Sequence, residues 1–301
     1  MEKNPIVINL KEGIPNILFV GNGISYSPDF SWYSIIEKIS EVPKNISKLQ
    51  NDNGVFQIPN PLLTMALCDS NDKTRREKYI EAMGGYKYND TYVKKLLEIP
   101  FDAILTTNYT YDFENGIIEG YKDYSNKKKS KCSFSTQKDS KFLIHTYNQL
   151  NDHLPIWHFH GELRRKSSMI LSHDDYARLI GKIIEFNANR KNDYEIKYTA
   201  LEMKSWIDYF IVANVYFLGY SMDTSEFDVW WLLNRKKREN ASVGKVYFYE
   251  PEEQRNYYKL EALRMCGVNN ISLGYRFNEK NRPYDKFYMD AIDDIKKKVT
   301  R

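Results

Sequence analysis

The apolar positions fall into short runs separated by amphipathic stretches. Ile17, Leu18, Phe19 and Val20 make a run of four inside "NILFVGNGISYSP" (16–28), the mark of a strand covered on both faces. It leads through a glycine turn into "DFSWYSIIEKI" (29–39), where Trp32, Ile35, Ile36 and Ile39 keep helical spacing. The strand pattern returns in "FDAILTTN" (101–108), "LPIWHFHGEL" (154–163), "VYFLGYS" (215–221), "KVYFYE" (245–250) and "NNISLGY" (269–275). Helical patterns predict elements at "SHDDYARLIGKIIEF" (172–186), with Ser172 as its cap and acids in the first turn, and at "TALEMKSWIDYF" (199–210). Further helices are expected at "EFDVWWLLNRKKR" (226–238), at "EEQRNYYKLEALRMCG" (252–267), closed by Gly267, and at "YDKFYMDAIDDIKKKV" (284–299).

Two stretches interrupt the alternation. Residues 41–98 contain Pro43, Pro59 and Pro61 and no strong strand. They read as a helical insert carrying "PLLTMALC" (61–68) and "KTRREKYIEAM" (73–83). Residues 119–141 are polar and lysine-rich, which reads as a flexible, solvated loop rather than a nucleic-acid contact. No internal repeat is visible. Alternating strands and helices predict an α/β, Rossmann-like, mostly parallel sheet with helices on both faces, in one domain over 1–301. Ligands of such sheets bind beyond the carboxyl ends of the strands.

Composition narrows the classes. The 301 residues carry 44 Lys+Arg against 40 Asp+Glu, a balance that indicates no nucleic-acid face. Three cysteines, Cys68, Cys132 and Cys266, form no CxxC pair and no disulfide framework, which fits a reducing cytoplasm. The opening "MEKNPIVINLKEG" lacks the apolar core of a signal peptide. No apolar run reaches the roughly 18 residues a membrane span needs, so no membrane is expected among the partners.

Four polar clusters fall at strand ends. "VGNGIS" sets Gly21, Asn22, Gly23, Ile24 and Ser25 between strand and helix, where glycine lets a backbone approach phosphate and free N–H groups receive it. Glycines also occupy such turns for steric reasons alone. The turn departs from GxGxxG, since Tyr26 stands at the last position, and no acid ends a second strand some 20 residues on; an ordinary nicotinamide dehydrogenase is thereby disfavoured. "LTTNYT" places Thr106, Thr107 and Asn108 after an apolar run. "FLGYSMDTSE" supplies Gly219, Tyr220, Ser221 and Asp223. "HFHG" puts His158 and His160 on one side of a strand. All five histidines, with His145, His153 and His173, lie within residues 145–173. A metal would need a third ligand from His145, His153, His173 or Glu162, all on loops or helix starts. Packed rings suit His158, between Trp157 and Phe159; they suit His160 less, because it adjoins a glycine at the strand end.

The order "GNGIS", "TTNYT", "HFHG", "LGYS" resembles the SIR2-like (sirtuin-fold) family, over roughly residues 16–275. In that family a GAGxS-type turn, an asparagine-bearing strand end, an HG dipeptide and a G(T/Y)S turn line an NAD⁺ pocket. "ILSHDDYARLI" also resembles the segment after the HG in bacterial members. The resemblance implies that Asn108 lies near the nicotinamide ribose and that His160 is the catalytic histidine. Gly21, Gly23 and Ser25 would take the pyrophosphate, and Gly219, Ser221 and Asp223 the adenosine half. Asn22 stands where alanine is usual, and Thr110 where aspartate is frequent. The four zinc cysteines that follow the HG in protein deacetylases are absent; only Cys266 lies downstream of His160. Similar zinc-less bacterial proteins act in anti-phage defence as NAD⁺ hydrolases, often with a partner subunit. The resemblance thus implies NAD⁺ as substrate, no metal, and gating by a regulatory subunit or homo-oligomer. Two other readings stay open: a non-catalytic NAD⁺ or ADP-ribose sensor, and an ADP-ribosyltransferase.

The missing cysteine quartet carries one expected outcome. Chelation should leave melting temperature and any NAD⁺ turnover unchanged, and elemental analysis should find no stoichiometric metal. Near-stoichiometric metal that is lost when both His158 and His160 are replaced would reverse this reading.

Overall fold

A computed structural model describes residues 6–10, 12–25, 62, 64–65, 73–84, 91–117, 133–135, 147–150, 154–163, 165–190, 194, 200–239, 244–252, 256–274 and 284–300. The expected helix at 29–39, most of that at 61–68, most of the lysine-rich stretch 119–141, and His145 and His153 lie outside these residues.

Ten strands are described: β1 (Ile6–Asn9), β2 (Asn16–Val20), β3 (Ala103–Thr106), β4 (Ser133–Ser135), β5 (Tyr147–Leu150), β6 (Leu154–His158), β7 (Ala200–Met203), β8 (Asn214–Leu218), β9 (Val246–Pro251) and β10 (Val268–Leu273). The helices are α1 (Lys73–Gly84), α2 (Thr91–Leu97), α3 (Asp112–Ile117), α4 (His173–Asn189), α5 (Trp206–Val212), α6 (Phe227–Glu239), α7 (Tyr257–Met265) and α8 (Asp285–Val299). Eight strands form one sheet in the order β10-β9-β8-β2-β3-β6-β5-β4. Six are parallel, from β10 to β6; β5 and β4 continue the sheet antiparallel. This is the mostly parallel, Rossmann-like α/β sheet that the alternation predicted.

Alternation along each strand divides the core in two. Ile17, Phe19, Leu105, Trp157 and Phe217 pack on one face with Leu179 of α4, Trp206 and Phe210 of α5, and Leu233 of α6. Leu18, Val20, Ile104, Ile156 and Leu218 face the other way, against Val93 and Leu96 of α2, Phe113 of α3, and Phe287 and Ile292 of α8. Both faces are thereby dry, which is why these strands read as continuous apolar runs.

The structure differs from the sequence reading in several places. Residues 200–203, expected as helix, form β7, which pairs antiparallel with β1 from Ile6↔Met203 to Asn9↔Ala200. Alternate burial of Leu201 and Met203, with Ala200 and Glu202 outward, is a strand signature that the helix-forming composition obscured. The helix starts only at Trp206, where Ser205 and Asp208 form a capping box. β4 lies inside the stretch expected to be loop. Most consequential is β6, which ends at His158 rather than continuing through His160. The Gly161 N–H closes a turn onto the His158 carbonyl at 2.8 Å, and Gly161 takes φ +95°. The two histidines therefore do not share one side of a strand.

Asp208 ties the β7–α5 junction together. Its carboxylate accepts from Arg190 Nε at 3.0 Å, the Tyr194 hydroxyl at 2.7 Å, and the N–H groups of Lys204 and Ser205 at 2.7 and 3.0 Å. The carboxylate is fully buried. Removing one partner of a buried pair strands the other, which costs about 3–5 kcal/mol. Asp208→Ala should lower the unfolding free energy by that amount in urea titration, whereas Lys182→Ala, at an exposed pair, should change it by less than about 1 kcal/mol.

Candidate functional site

The site is set by strand register. Val20 pairs with Thr106, Thr106 with His158, and Val20 with Leu218. The last residues of β8, β2, β3 and β6 thus stand side by side, and each is followed by one of the four polar clusters. The chain runs from β2 outward through β3 and β6, then returns to place β8 on the other flank of β2. Between β2 and β8 lies the switch point at which doubly wound sheets bind their ligands.

At that point two turns interlock. The N–H groups of Gly21 and Gly23 donate to the carbonyls of Leu218 (3.2 Å) and Gly219 (2.7 Å). A Cβ on Gly21 would sit 2.5 Å from the Gly219 oxygen, and one on Gly23 at 2.8 Å from it. Gly219 has φ +64° and would place a Cβ 2.7 Å from Ile24. All three glycines are therefore demanded by packing of turn on turn. The N–H groups of Gly21 and Gly23 are thus engaged within the protein. Asn22 and Gly23 stay half-buried, Ile24 is core, and the buried Ser25 hydroxyl has no hydrogen-bond partner among the described residues.

Asn108 is held at three points. The Thr106 hydroxyl donates to the Val20 carbonyl (3.1 Å) and accepts the Asn108 N–H (3.0 Å). The Thr107 N–H reaches the Val20 carbonyl at 3.3 Å. Asn108 Nδ2 donates to the Gly21 carbonyl at 3.3 Å, and the Asn108 carbonyl meets His158 Nδ1 at 2.7 Å. His158 Nε2 lies 2.8 Å from Glu114 of α3. Burial opposes charge on His158, but the Glu114 carboxylate, helped by Glu162 and the Asn108 carbonyl, overrides it and pushes the imidazole up to about 9. His158 is thus a charged clamp on the Asn108 loop, more than the packed ring its neighbours Trp157 and Phe159 suggested.

His160 belongs to the opposite face. Its Nε2 lies 2.7 Å from Asp228 Oδ2 of α6, and its ring packs edge-on to Tyr176 of α4 (5.4 Å) and against Phe159 (4.6 Å). The His160 carbonyl accepts the Ile170 N–H at 2.8 Å, fixing the turn. Gly161 has no alternative residue, since a Cβ would meet the Ser168 carbonyl at 2.3 Å. Near Asp228, burial together with the Asp228 and Asp223 carboxylates pushes Glu226 up to about 8, despite the neighbouring Tyr220 hydroxyl.

The remaining candidates divide. Tyr220 is buried against Phe19 and Phe217 with its hydroxyl beside Glu226. Ser221 is exposed, and its carbonyl accepts Lys259 Nζ at 3.3 Å. Asp223 accepts the Ser225 N–H and hydroxyl at 2.8 and 2.7 Å, which makes it a turn former. Met222 between them is buried with φ +50°, a left-handed conformation uncommon outside glycine. His173 is exposed at the start of α4. Among the described residues no group of three or more His, Cys, Asp or Glu could hold a metal ion, and no helix is long and apolar enough to cross a membrane.

Sequence reasoning missed Glu114, Tyr176, Glu226 and Asp228. The signal for Asp228 was present: one acid sits inside the apolar run of "FDVWWLL", and an acid there needs a buried partner.

A doubly wound sheet with polar turns converging on its switch point defines a nucleotide-binding class of fold. A family model described as a SIR2-like domain matches residues 102–271, more than half of the chain. The chain belongs to the SIR2-like family, whose members act on NAD⁺. The matched stretch covers three of the four clusters; the glycine turn at 21–25 lies before it and is brought in by β2. No match was found among curated proteins.

Both raised groups make stability fall as pH rises. A group whose folded-state affinity for protons exceeds the unfolded one stabilises below its unfolded pKa and loses that contribution through its folded pKa. The Glu226 window runs from about 4.5 to about 8, and that of His158 from about 6.5 to about 9. Urea midpoints should decline from about pH 5 to about pH 9. Glu226→Gln should flatten the lower part of that decline and Glu114→Gln the upper part.

Proposed function

We propose that the chain is an NAD⁺ glycohydrolase of the zinc-less bacterial type, depleting NAD⁺ in anti-phage defence under the control of a partner subunit or self-assembly. The observation that carries this reading is that Asn108 and His160 both follow the carboxyl ends of neighbouring strands, β3 and β6, near the switch-point turns. The missing cysteine quartet argues against acyl-lysine deacylation.

In the reaction, the bond between ribose C1′ and the nicotinamide nitrogen breaks. Its electron pair goes to that nitrogen, so nicotinamide leaves neutral and needs little acid help. A water oxygen bonds to C1′, and His160 takes the water proton, directly or through a ribose hydroxyl. Such base catalysis accounts for about 10²–10⁴-fold; positioning supplies the rest. Asn108 is suited to the positioning, because its backbone is clamped and its Oδ1 has no protein bond among the described residues. The buried Asp228 carboxylate favours the positive charge that develops on the ribose. Asn22, Ser25 and Thr107 are the polar groups left for the phosphates and riboses.

Gating is supported by burial. His160 is 2% exposed and Asn108 7%, the burial expected of a site that is closed at rest. An ungated NAD⁺ hydrolase would also poison its own cell.

His160→Ala should abolish nicotinamide release while keeping fold and most NAD⁺ affinity, because a base acts chiefly in the transition state. Asn108→Ala should lose turnover similarly with somewhat weaker binding. His158→Ala should lower the melting temperature and, through the Asn108 loop, reduce turnover only in part. Free nicotinamide measured with and without candidate partners decides the matter. NAD⁺ binding with no release under any condition would favour a sensor, and labelled adenylate on a macromolecule would favour a transferase.

A further inference from the structure

We infer that Asp228 is the positioning residue for His160: it holds the ring with hydrogen on Nε2 and presents Nδ1 as the basic nitrogen. As a statement about turnover this rests on the glycohydrolase reading; as a statement about the ring it does not.

Three observations converge. The Nε2–Oδ2 distance is 2.7 Å, and a carboxylate oxygen only accepts, so the nitrogen facing it carries the hydrogen. Asp228 is fully buried in the first turn of α6, where the helix N-terminus favours negative charge. His160 Nδ1 makes no hydrogen bond to any described residue, while Tyr176 and Phe159 hold the plane of the ring. One ring nitrogen is therefore committed to the protein and the other is left for chemistry. This is the arrangement by which a buried carboxylate fixes tautomer and orientation of a catalytic imidazole. Glu226, two residues earlier, strengthens it: burial keeps that carboxyl protonated up to about 8, which removes a competing negative charge from beside the pair.

A purely structural role, pinning α6 to the turn at 159–161, would make the same contact. The tests must therefore read the ring and the chemical step. Long-range proton–nitrogen spectra of ¹⁵N-labelled protein report which ring nitrogen bears hydrogen. With five histidines, the His160 signals are assigned by their loss in His160→Gln. The wild-type protein should show hydrogen on Nε2. Asp228→Asn, whose amide can donate to Nε2, should move it to Nδ1. In steady-state assays on the active form, Asp228→Asn should lower kcat by about 10²–10⁴-fold with KM for NAD⁺ within about threefold. Hydrogen on Nδ1 in the wild-type protein would overturn the inference, as would an Asp228→Asn variant that keeps kcat within about tenfold. If Asp228→Asn does not fold, or if no form of the protein releases nicotinamide, the wild-type spectrum alone decides. In the second case the functional reading fails separately.

Discussion

The site depends on how closely two turns can approach at the switch point of the sheet. The Gly23 N–H meets the Gly219 carbonyl at 2.7 Å, and neither Gly21, Gly23 nor Gly219 has room for a Cβ. That contact brings the ends of β2 and β8 into register. It also leaves the Gly21 carbonyl directed at Asn108 Nδ2, so the asparagine is placed by the glycine turn as much as by its own strand. Were the turns further apart, the Gly21 carbonyl would be drawn away from Asn108 Nδ2 and the asparagine side chain would lose that anchor. The glycines thus act by packing, and the polar groups around them inherit their positions.

Much of this was legible in the sequence. Strands buried on both faces announce themselves as runs such as Ile17–Val20, and the carboxyl-end rule then points to the residues that follow. The family resemblance rested on the same four clusters, and the SIR2-like match over 102–271 agrees with it. What was not legible has a common physical cause. Residues 200–203 are strand only because β1 lies beside them, and a partner some 190 residues away leaves no local trace. The "HFH" spacing promised one shared side, but Gly161 ends the strand at His158, and a turn overrides period-two reasoning. Glu226 becomes a partner of the site through tertiary packing, while locally it reads as an ordinary acid before a helix; Asp228, an acid inside an apolar run, left the only local trace of the two.

The two histidines illustrate how burial assigns different chemistry to identical side chains two residues apart. His158 faces α3 and meets Glu114, which holds it as a cation and stiffens the Asn108 loop. His160 faces α6 and meets Asp228 inside an aromatic frame. The sheet separates them, so each imidazole answers to its own carboxylate. Each ring thereby gives one oxygen of a buried acid its partner.

The helix that carries Asp228 is fastened at its far end as well. Lys236, fully enclosed, donates from Nζ to the carbonyls of Ile211 and Ala213 at 2.8 and 2.7 Å. Eight residues, or about 12 Å of helix, separate this anchor from Asp228. In mechanical terms α6 is a rod pinned at one end to α5 and at the other to an imidazole. Axial sliding would break both attachments at once, whereas a small tilt about the lysine would swing only the end at Asp228. A force applied near the exposed Phe227 would therefore be delivered to the histidine with the lysine as fulcrum.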